Sequence, residues 1–597
     1  MTSIFRDTQA GHLLRFLSGN KLLRYPDEID PELWKKFQKE HLGDSDTPEN
    51  ANSENANLEK TESKSSAAAT TTVTDTATPP QDHDSQDLKD IHSAEAGKDE
   101  FLVDWYGPDD GENPQNWSRT QKLLVATQIC LLNWSVYMAS SIYAPAETSA
   151  MADFHSGETV ATLGLSLFTL GYGIGPMLWS PMSEMPRFGR SGIYFWTLLF
   201  FVLFQLPTGY AVNMAMFLVF RFVTGVFGSP TLSTGGATMM DMYNMSAASI
   251  AIPIWGAFAI ISPCLGPVLG GFVAPVKGWS WSIWMIVWLT TFVLVTMFFF
   301  NPETSAANIL YRRAARRRQA TGDPRFQSQS EIDAANHTFK DDLTVLGRAF
   351  SLIFTEPIVF VMDLYVALIY GVLFIWFESF PLVFGGVYHF NLGEQGLAFF
   401  GILVGTTITV IAYCLWVIYI LVPKFSDPTF KPEVVLPPVW FGSLSLPICL
   451  FFYGWTARAS IHWIVPIIAT TLFGVPLVVV FQSCLNYLAI SYPTYAASIF
   501  AGNGLFRSIF GAIFPLFGTR DRWRQLSLGR DFDLLYSHSV SAVLSWRSDP
   551  ACEQECATRY LSLTVFWGIT LKKNSRRNFF TYSDYFFVTK KKMETFI

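Results

Sequence analysis

Charge is what this chain has least of. Only 15% of its 597 residues are Asp, Glu, Lys or Arg, while half are apolar and 16% aromatic, and the mean hydropathy is positive. A soluble domain typically carries about 25% charged residues, so an ordinary water-soluble enzyme is excluded and a lipid bilayer is the solvent this composition fits. No Gly-x-x-x-x-Gly-Lys-Ser/Thr loop occurs, which removes the usual phosphate cradle of a nucleotide-driven pump. The nine histidines form no cluster with cysteines or carboxylates, so neither a metal site nor an enzyme centre is expected. Of the seven cysteines, Cys130, Cys264, Cys414, Cys449 and Cys484 lie in apolar runs, where they serve as small hydrophobes. Cys552 and Cys556 have no companion ligands nearby, and no cofactor is expected. The net charge of −7 divides between an acidic N-terminal stretch and one basic internal loop, and it leaves no nucleic-acid footprint. A signal peptide is also lacking, because the first residues contain no continuous apolar core, so the first span must direct its own insertion.

What is present is length in apolar runs. Residues 1 to about 46 hold a modestly amphipathic patch (Leu13, Leu14, Phe16, Leu17, Leu22 and Leu23, with Arg15, Lys21 and Arg24), which reads as a tail helix, a membrane-surface helix being the alternative. From Ser45 to Asp99 the chain is Ser, Thr, Ala, Asn and acids, the composition of disorder, so residues 1–100 read as a largely disordered cytosolic tail. Eleven runs of roughly 20 apolar residues follow, near Leu123–Ala144, Val160–Trp179, Ile193–Val212, Met216–Leu232, Ile250–Val273, Trp281–Phe300, Ile358–Phe377, Leu397–Leu421, Pro438–Trp455, Ile461–Tyr487 and Ile499–Phe517. The fold class is therefore an all-α polytopic membrane protein. Residues 101–301 form a six-helix N-terminal half, 302–355 a basic central loop with Arg312, Arg313, Arg316, Arg317 and Arg318, 356–519 a second half of five helices, and 520–597 a polar tail. Arg187, Arg190, the central arginines, Lys424 and Lys431 share one side, which makes the N-terminus and central loop cytosolic. The opposite loops carry acids instead, among them Glu147, Asp153 and Glu158.

Function is expected where charge is expensive. An ionisable residue at the centre of a span costs roughly 2.5–3.5 kcal/mol on insertion scales, yet Arg221 interrupts the fourth run, Asp363 and Glu378 bracket the seventh, and Arg507 sits in the eleventh after Asn503. For Asp363, Glu378 and Arg507 a packing role stands beside a functional one. A carboxylate near a fixed cation can alternate between charged and protonated states, and Asp363 is the first choice for that group, Glu378 the second. Trp134, Tyr137 and Tyr143 in the first span, Tyr370, Trp376 and Phe377 in the seventh, and Gln482 and Asn486 in the tenth are the expected lining of a substrate cavity, lipid-facing packing being the ordinary alternative for a single aromatic. The second and third runs are joined by a tight turn in which Glu184, Arg187 and Arg190 surround Pro186 and Gly189. In the fifth, Pro263, Gly266, Pro267, Gly270 and Gly271 predict a bending helix in close contact with a neighbour.

These motifs together carry a resemblance. Pro181-Met-Ser-Glu184-Met-Pro186-Arg-Phe-Gly189-Arg190, Arg221-Phe-Val-Thr-Gly225, Gly266-Pro267-Val-Leu-Gly270-Gly271 and Pro302-Glu303-Thr304 resemble the major facilitator superfamily. More narrowly they are similar to the fungal twelve-span drug:proton antiporters of the benomyl and methotrexate resistance type, as are Trp105-Tyr-Gly-Pro-Asp-Asp and Asn113-Pro-Gln-Asn-Trp117 before the first span. The turn after Glu184 is longer than the general superfamily form but fits the narrower group. The resemblance implies two six-helix halves, a cytoplasmic gate containing Glu184, Arg187, Gly189 and Arg190, a proton-coupling Arg221, and an antiporter motif at Pro263, Gly266, Pro267, Gly270 and Gly271. It also implies a monomer in the cell membrane that exports amphipathic small molecules in exchange for protons. One expectation runs against this: no twelfth apolar run follows Thr519. A one-nucleotide shift in the codons of Asp531 to Cys556 permits one, so the tail is expected to come from a frameshift or misplaced splice, and a truncated, non-transporting relative is the alternative reading.

Overall fold

The computed structural model describes residues 5–30, 101–336, 355–425, 427, 430–492 and 496–518. Among the described residues eleven helices are long and apolar enough to cross a membrane. They are the first span, Arg119–Phe154, then Glu158–Glu184, Gly189–Gly209, Met214–Met242, Met245–Lys277, Trp279–Phe300, Pro357–Gly385, Leu392–Lys424, Pro437–Thr456, Ile464–Ser491 and, eleventh, Ile499–Leu516. The acidic stretch Ser45–Asp99 and the tail after Thr519, with the frameshift expectation attached to it, lie outside the described residues.

Several spans run further than hydropathy indicates. The first continues past Ala144 through a short 3-10 turn at Ala144–Ala146 into a further helix, Glu147–Phe154. The fourth continues past Leu232 to Met242, in two helices that abut at Ser229 and Pro230. Each extension carries an acid that faces protein, Glu147 in the first and Asp241 in the second. A polar residue that faces a neighbouring helix costs little, while an apolarity profile counts it as though it faced lipid. The fifth helix runs unbroken from Met245 to Lys277 with Pro263 and Pro267 inside it, so its prolines do not split it in two.

The first span packs against the fifth and sixth, the second against the fourth, and the third against the fourth and sixth; beyond the central loop the seventh packs on the eleventh and the tenth on the eighth and ninth. The most extensive contacts joining these groups are second to eleventh and fifth to eighth, with smaller ones from the fourth to the eleventh and the fifth to the tenth. Between helices in lipid there is no hydrophobic drive, so close approach by small residues supplies the attraction. Gly171 and Gly175 abut Phe222 and Ser229 of the fourth span, while Gly173, pointing the other way, abuts Ser508 of the eleventh. In the fifth, Gly266 and Gly270 press on Ser141 and Ile142 of the first span and Gly271 on Leu392 at the start of the eighth. The face that bears the N-terminal segment and the central loop is the loop face. The second and eleventh spans meet toward it, at Met177, Ala501 and Leu505. The fifth and eighth meet toward the opposite face, where Gly396 lies against Pro267. The two groups thus touch at both ends of the membrane, and only a small pocket separates them midway.

The basic run of the central loop is a helix, Ala306–Thr321, capped by Ser305 and ended by Gly322 at φ +72°. Its arginines are cross-links. Arg313, fully buried, donates to Asp110 Oδ2 at 2.8 Å and Glu112 Oε2 at 2.9 Å and lies 4.2 Å over the Tyr106 ring. Burial works against the Arg313 charge, and Glu112 and Asp110 outweigh it, holding the guanidinium above its ordinary range. Arg316 pairs with Asp27 at 2.9 Å, and Arg15 with Glu28 at 2.5 Å. Residues 5–30 are thereby fastened to the central helix. A two-residue parallel pairing of Leu102–Val103 with Gln327–Ser328 fastens the segment before the first span to the same loop.

Candidate functional site

Three charged centres lie along the interior, and each begins from a local feature of the chain. The first is on the loop face. Gly189 has φ +69°, a left-handed conformation that a side chain disfavours, and it turns the chain so that two consecutive amides point at one carboxylate. Arg190 N donates to Glu303 Oε1 at 3.0 Å and Ser191 N to Glu303 Oε2 at 3.2 Å. Glu303 also accepts from Thr304 N and Ser305 N at 3.0 and 2.9 Å, and Asn308 Nδ2 donates to Pro186 O at 2.6 Å. The side chain of Arg190 forms a two-point pair with Asp241 of the fourth span, Nη2 to Oδ1 at 3.2 Å and Nε to Oδ2. Glu184 and Arg187 are exposed at the same turn. This centre ties the ends of the second, third, fourth and sixth spans together.

A Cβ on Gly189 would meet the Glu303 carboxylate and come within 2.8 Å of Asn308 Cγ. Gly189→Ala therefore combines a left-handed penalty of roughly 1–2 kcal/mol with displacement of Glu303 from four amides. The variant is expected to melt several degrees lower in detergent than Arg187→Ala, whose side chain is exposed. Unchanged melting for Gly189→Ala would show that the turn is not strained in the way described.

The second centre lies among the first, second and fourth spans. Arg221 is fully buried, with Nε donating to Gly164 O and Nη1 to Ala139 O, both at 2.9 Å, while Nη2 has no hydrogen-bond partner. Its guanidinium lies 4.6 Å over Phe168 and 5.5 Å over Tyr143. Just past the turn at Ala144–Ala146, Glu147 is buried and accepts from Thr162 Oγ1 at 3.1 Å; its Oε1 has no partner. Arg221 and Glu378 of the seventh span are both within electrostatic reach of Glu147. Sequence reasoning assigned Glu147 to a polar loop. Pro145 inside an Ala-rich continuation of the first run was the signal that the helix bends there and goes on.

The third centre belongs to the seventh and eleventh spans. Asp363 is fully buried; Oδ1 accepts from Asn503 Nδ2 at 2.8 Å and Oδ2 has no partner. Arg507, one helical turn beyond Asn503, is within electrostatic reach of Asp363 without forming an ion pair to it. Its guanidinium lies 4.5 Å from Phe481 and 5.2 Å from Tyr370. Arg507, Tyr370 and Phe481 line the small midway pocket together with Ile260 of the fifth span and Val366 and Leu477.

The residues expected to line a substrate cavity divide. Tyr137 packs edge-on against Tyr172, their centroids 4.8 Å apart, and its hydroxyl has no partner. Tyr370 is close enough to interact electrostatically with Tyr137, so these three rings gather where the two groups of spans face each other. Gln482 lies there too, its amide against Gly256. Tyr143 belongs instead to the Arg221 centre, 4.9 Å from Phe217. Trp376 is stacked between Phe473 at 4.9 Å and Tyr453 at 5.3 Å, inside the packing of the seventh, ninth and tenth spans. Phe377 packs on Phe399 at 5.4 Å, toward the face opposite the loops. Asn486 donates to Tyr413 of the eighth span at 3.4 Å, and Trp134 is half-buried, its carbonyl accepting from Ser262. Among the described residues no group of His, Cys, Asp and Glu is placed to hold a metal ion. Sequence reasoning gave no role to Asp241, Glu303, Tyr172 or Asn503, each of which completes one of these clusters.

Residues 129–515 match the family model described as Major Facilitator Superfamily. Fluconazole resistance protein 1 of Saccharomyces cerevisiae is 44% identical over 70% of this chain and 76% of its own length. The Cycloheximide resistance protein of Candida maltosa is 36% identical over 91% of this chain and 96% of its own. Among solved structures, the proton:xylose symporter XylE of E. coli, bound to 6-bromo-6-deoxy-D-glucose, superposes with a TM-score of 0.52 at 13% identity, covering 73% of this chain and 97% of that one. That likeness concerns the fold alone.

Proposed function

The chain belongs to the Major Facilitator Superfamily, and from that premise we propose that it exports amphipathic small molecules, such as drugs, fungicides, toxins or secondary metabolites, in exchange for protons. The relatives named for resistance to fluconazole and to cycloheximide support the class of cargo. The observation that carries the coupling is the Asp363 centre: a carboxylate wholly inside the membrane with one oxygen held by Asn503 and the other unpartnered. Such a group is expensive to keep charged unless a cation comes to it, and Arg507, one turn away on the same helix as Asn503, is that cation.

In this reading the carboxylate alternates between a protonated state and a state in which Arg507 approaches it, and Arg507 also lines the pocket with Tyr370 and Phe481. A proton on Asp363 frees Arg507 toward the pocket, while a cargo in the pocket displaces it toward the ionised carboxylate, so proton and cargo oppose each other through one guanidinium. A ligand moves such an equilibrium only by binding its two states unequally, and both events act on one helix. The aromatic, sparsely polar lining favours flat amphipathic compounds. Alternating access needs the two end contacts to open one at a time. The Arg190–Asp241–Glu303 centre, with Glu184 and Arg187 beside it, would hold the second-span turn when the loop face is shut. Gly271 and Pro267 of the fifth span would seal the other end against Leu392 and Gly396 of the eighth. The loop face is assigned to the cytosol, since it carries Arg187, Arg190 and the central arginines, in the plasma membrane. The chain is taken to act as a monomer.

The test uses the full chain in sealed vesicles with the loop face outward and cycloheximide or fluconazole as probe. An imposed gradient, acid inside, should drive uptake of the drug, a protonophore should collapse it, and adding drug should move protons outward. Uptake that ignores both the gradient and the protonophore would exclude proton coupling. Absence of any drug movement, in a chain that folds, would favour a non-transporting relative.

A further inference from the structure

We propose that helix Gln9–Leu17 is an in-plane membrane anchor, seated in the leaflet on the loop face with its apolar side in the boundary between headgroups and acyl chains. The helix is two-sided, and the protein occupies only one side. On that side Arg15, nearly buried, is held by Glu28 and by Leu23 O at 2.6 Å, His12 meets Arg312, and Ala10 and Gly11 are buried. Burial, and then the charges of Arg312, Arg15, Arg316 and Arg6, hold the His12 imidazole down at about 3, so it docks as a neutral ring. On the other side Leu13, Leu14, Phe16 and Leu17 are 49%, 41%, 81% and 71% exposed. Four large apolar side chains on less than three turns of helix are costly to leave in water.

The position of the helix says what covers them. It packs against the third and sixth spans, and Gln9 Nε2 reaches Ser191 Oγ at 3.5 Å, at the loop-face start of the third span. There the outward residues of the same two spans, Trp196, Phe299 and Phe300, are themselves exposed and face lipid. The apolar side of Gln9–Leu17 is therefore continuous with a surface already solvated by the bilayer. Lys21 and Arg24, which follow the helix, are exposed, as are Arg119 and Arg187 on the same face. A cationic rim beside an apolar stripe matches an anionic leaflet, and this is the pattern of interfacial helices. Arg15–Glu28 and Arg316–Asp27 fasten this anchor to the central helix, so the loop that joins the two groups of spans is tied to the membrane plane. The inference stands whether or not the chain transports.

The test places a bimane label at Phe16→Cys in the full chain, with Cys552 and Cys556 changed to serine, reconstituted into phosphatidylcholine vesicles containing phosphatidylserine. A label at Leu17→Cys repeats the measurement in case one variant fails to fold, and a label at the exposed Gln319→Cys gives the aqueous reference. Lipids carrying a nitroxide near the headgroup should quench positions 16 and 17 severalfold more than position 319. Aqueous iodide should do the reverse. Iodide quenching of 16 and 17 equal to that of 319 would overturn the proposal. So would protection from iodide without quenching by lipid, because protein would then cover the helix.

Discussion

Asp363→Asn is expected to abolish drug accumulation against a gradient while leaving drug exchange across the membrane intact. The substitution keeps the volume of the side chain and its acceptor oxygen for Asn503 Nδ2, so the packing of the seventh span on the eleventh should survive. What it removes is the exchangeable proton and the charge that Arg507 approaches. Without them the pocket still admits cargo, but binding is no longer linked to protonation, and the two sides of the membrane become equivalent to the carrier. Coupling free energies between two sites are typically about 1–3 kcal/mol, or roughly 5- to 150-fold in affinity. The pH dependence of drug binding should therefore shrink by a factor in that range, toward none. Gradient-driven uptake should fall to the equilibrium level. An Asp363→Asn carrier that still concentrates drug with the original pH profile would move the proton elsewhere, and Glu147→Gln would then be the variant to uncouple. Its carboxylate is the other buried acid with an unpartnered oxygen among the three centres.

Arg221→Ala should cost both activity and stability. The guanidinium closes two mid-membrane carbonyls, Gly164 O of the second span and Ala139 O of the first, and fills the space between Phe168, Tyr143 and Phe217. Hydrogen bonds from a charged donor contribute about 1.5–3 kcal/mol each; truncation also leaves a cavity and strips Glu147 of its nearby cation. A fall in melting temperature of several degrees is expected, with transport lost. Arg221→Lys separates the two effects. Its ammonium retains the charge but lacks the planar fork that reaches two carbonyls at once. The lysine variant should recover most of the stability and little of the transport. Full transport by Arg221→Lys would show that charge alone is needed at this position.

How much of this was legible in the sequence differs by feature. All eleven spans were, because the run of apolar residues needed to cross a bilayer is a local property of the chain. Arg221, Asp363 and Arg507 were also legible as anomalies, since a charge inside such a run stands out against its own neighbours. Their partners were not. Asn503 lies 140 residues from Asp363, and Asp241 lies 51 from Arg190; neither interrupts its own stretch in a way that points to the other. Glu147 was hidden differently, by looking like an ordinary loop acid at the end of a hydrophobic run. The aromatics show the same limit. Trp376 and Tyr370 lie on one helix and read alike, yet one is stacked inside the packing of three spans and the other faces the midway pocket.

The sequence by itself determined that this protein lives in a membrane, where its helices cross it, which charges are anomalous there, and through its joined motifs which family it belongs to. All of these depend on composition, on runs of about 20 residues, or on residues that are neighbours along the chain. Only the tertiary structure decided which carboxylate answers which arginine, that the central arginines are cross-links, and that the N-terminal helix keeps an apolar side uncovered beside lipid-facing spans. The reason is that a partner in space is chosen by the docking of whole helices. A helix can rotate its polar residue toward protein or toward lipid without altering the hydropathy by which the sequence announces it.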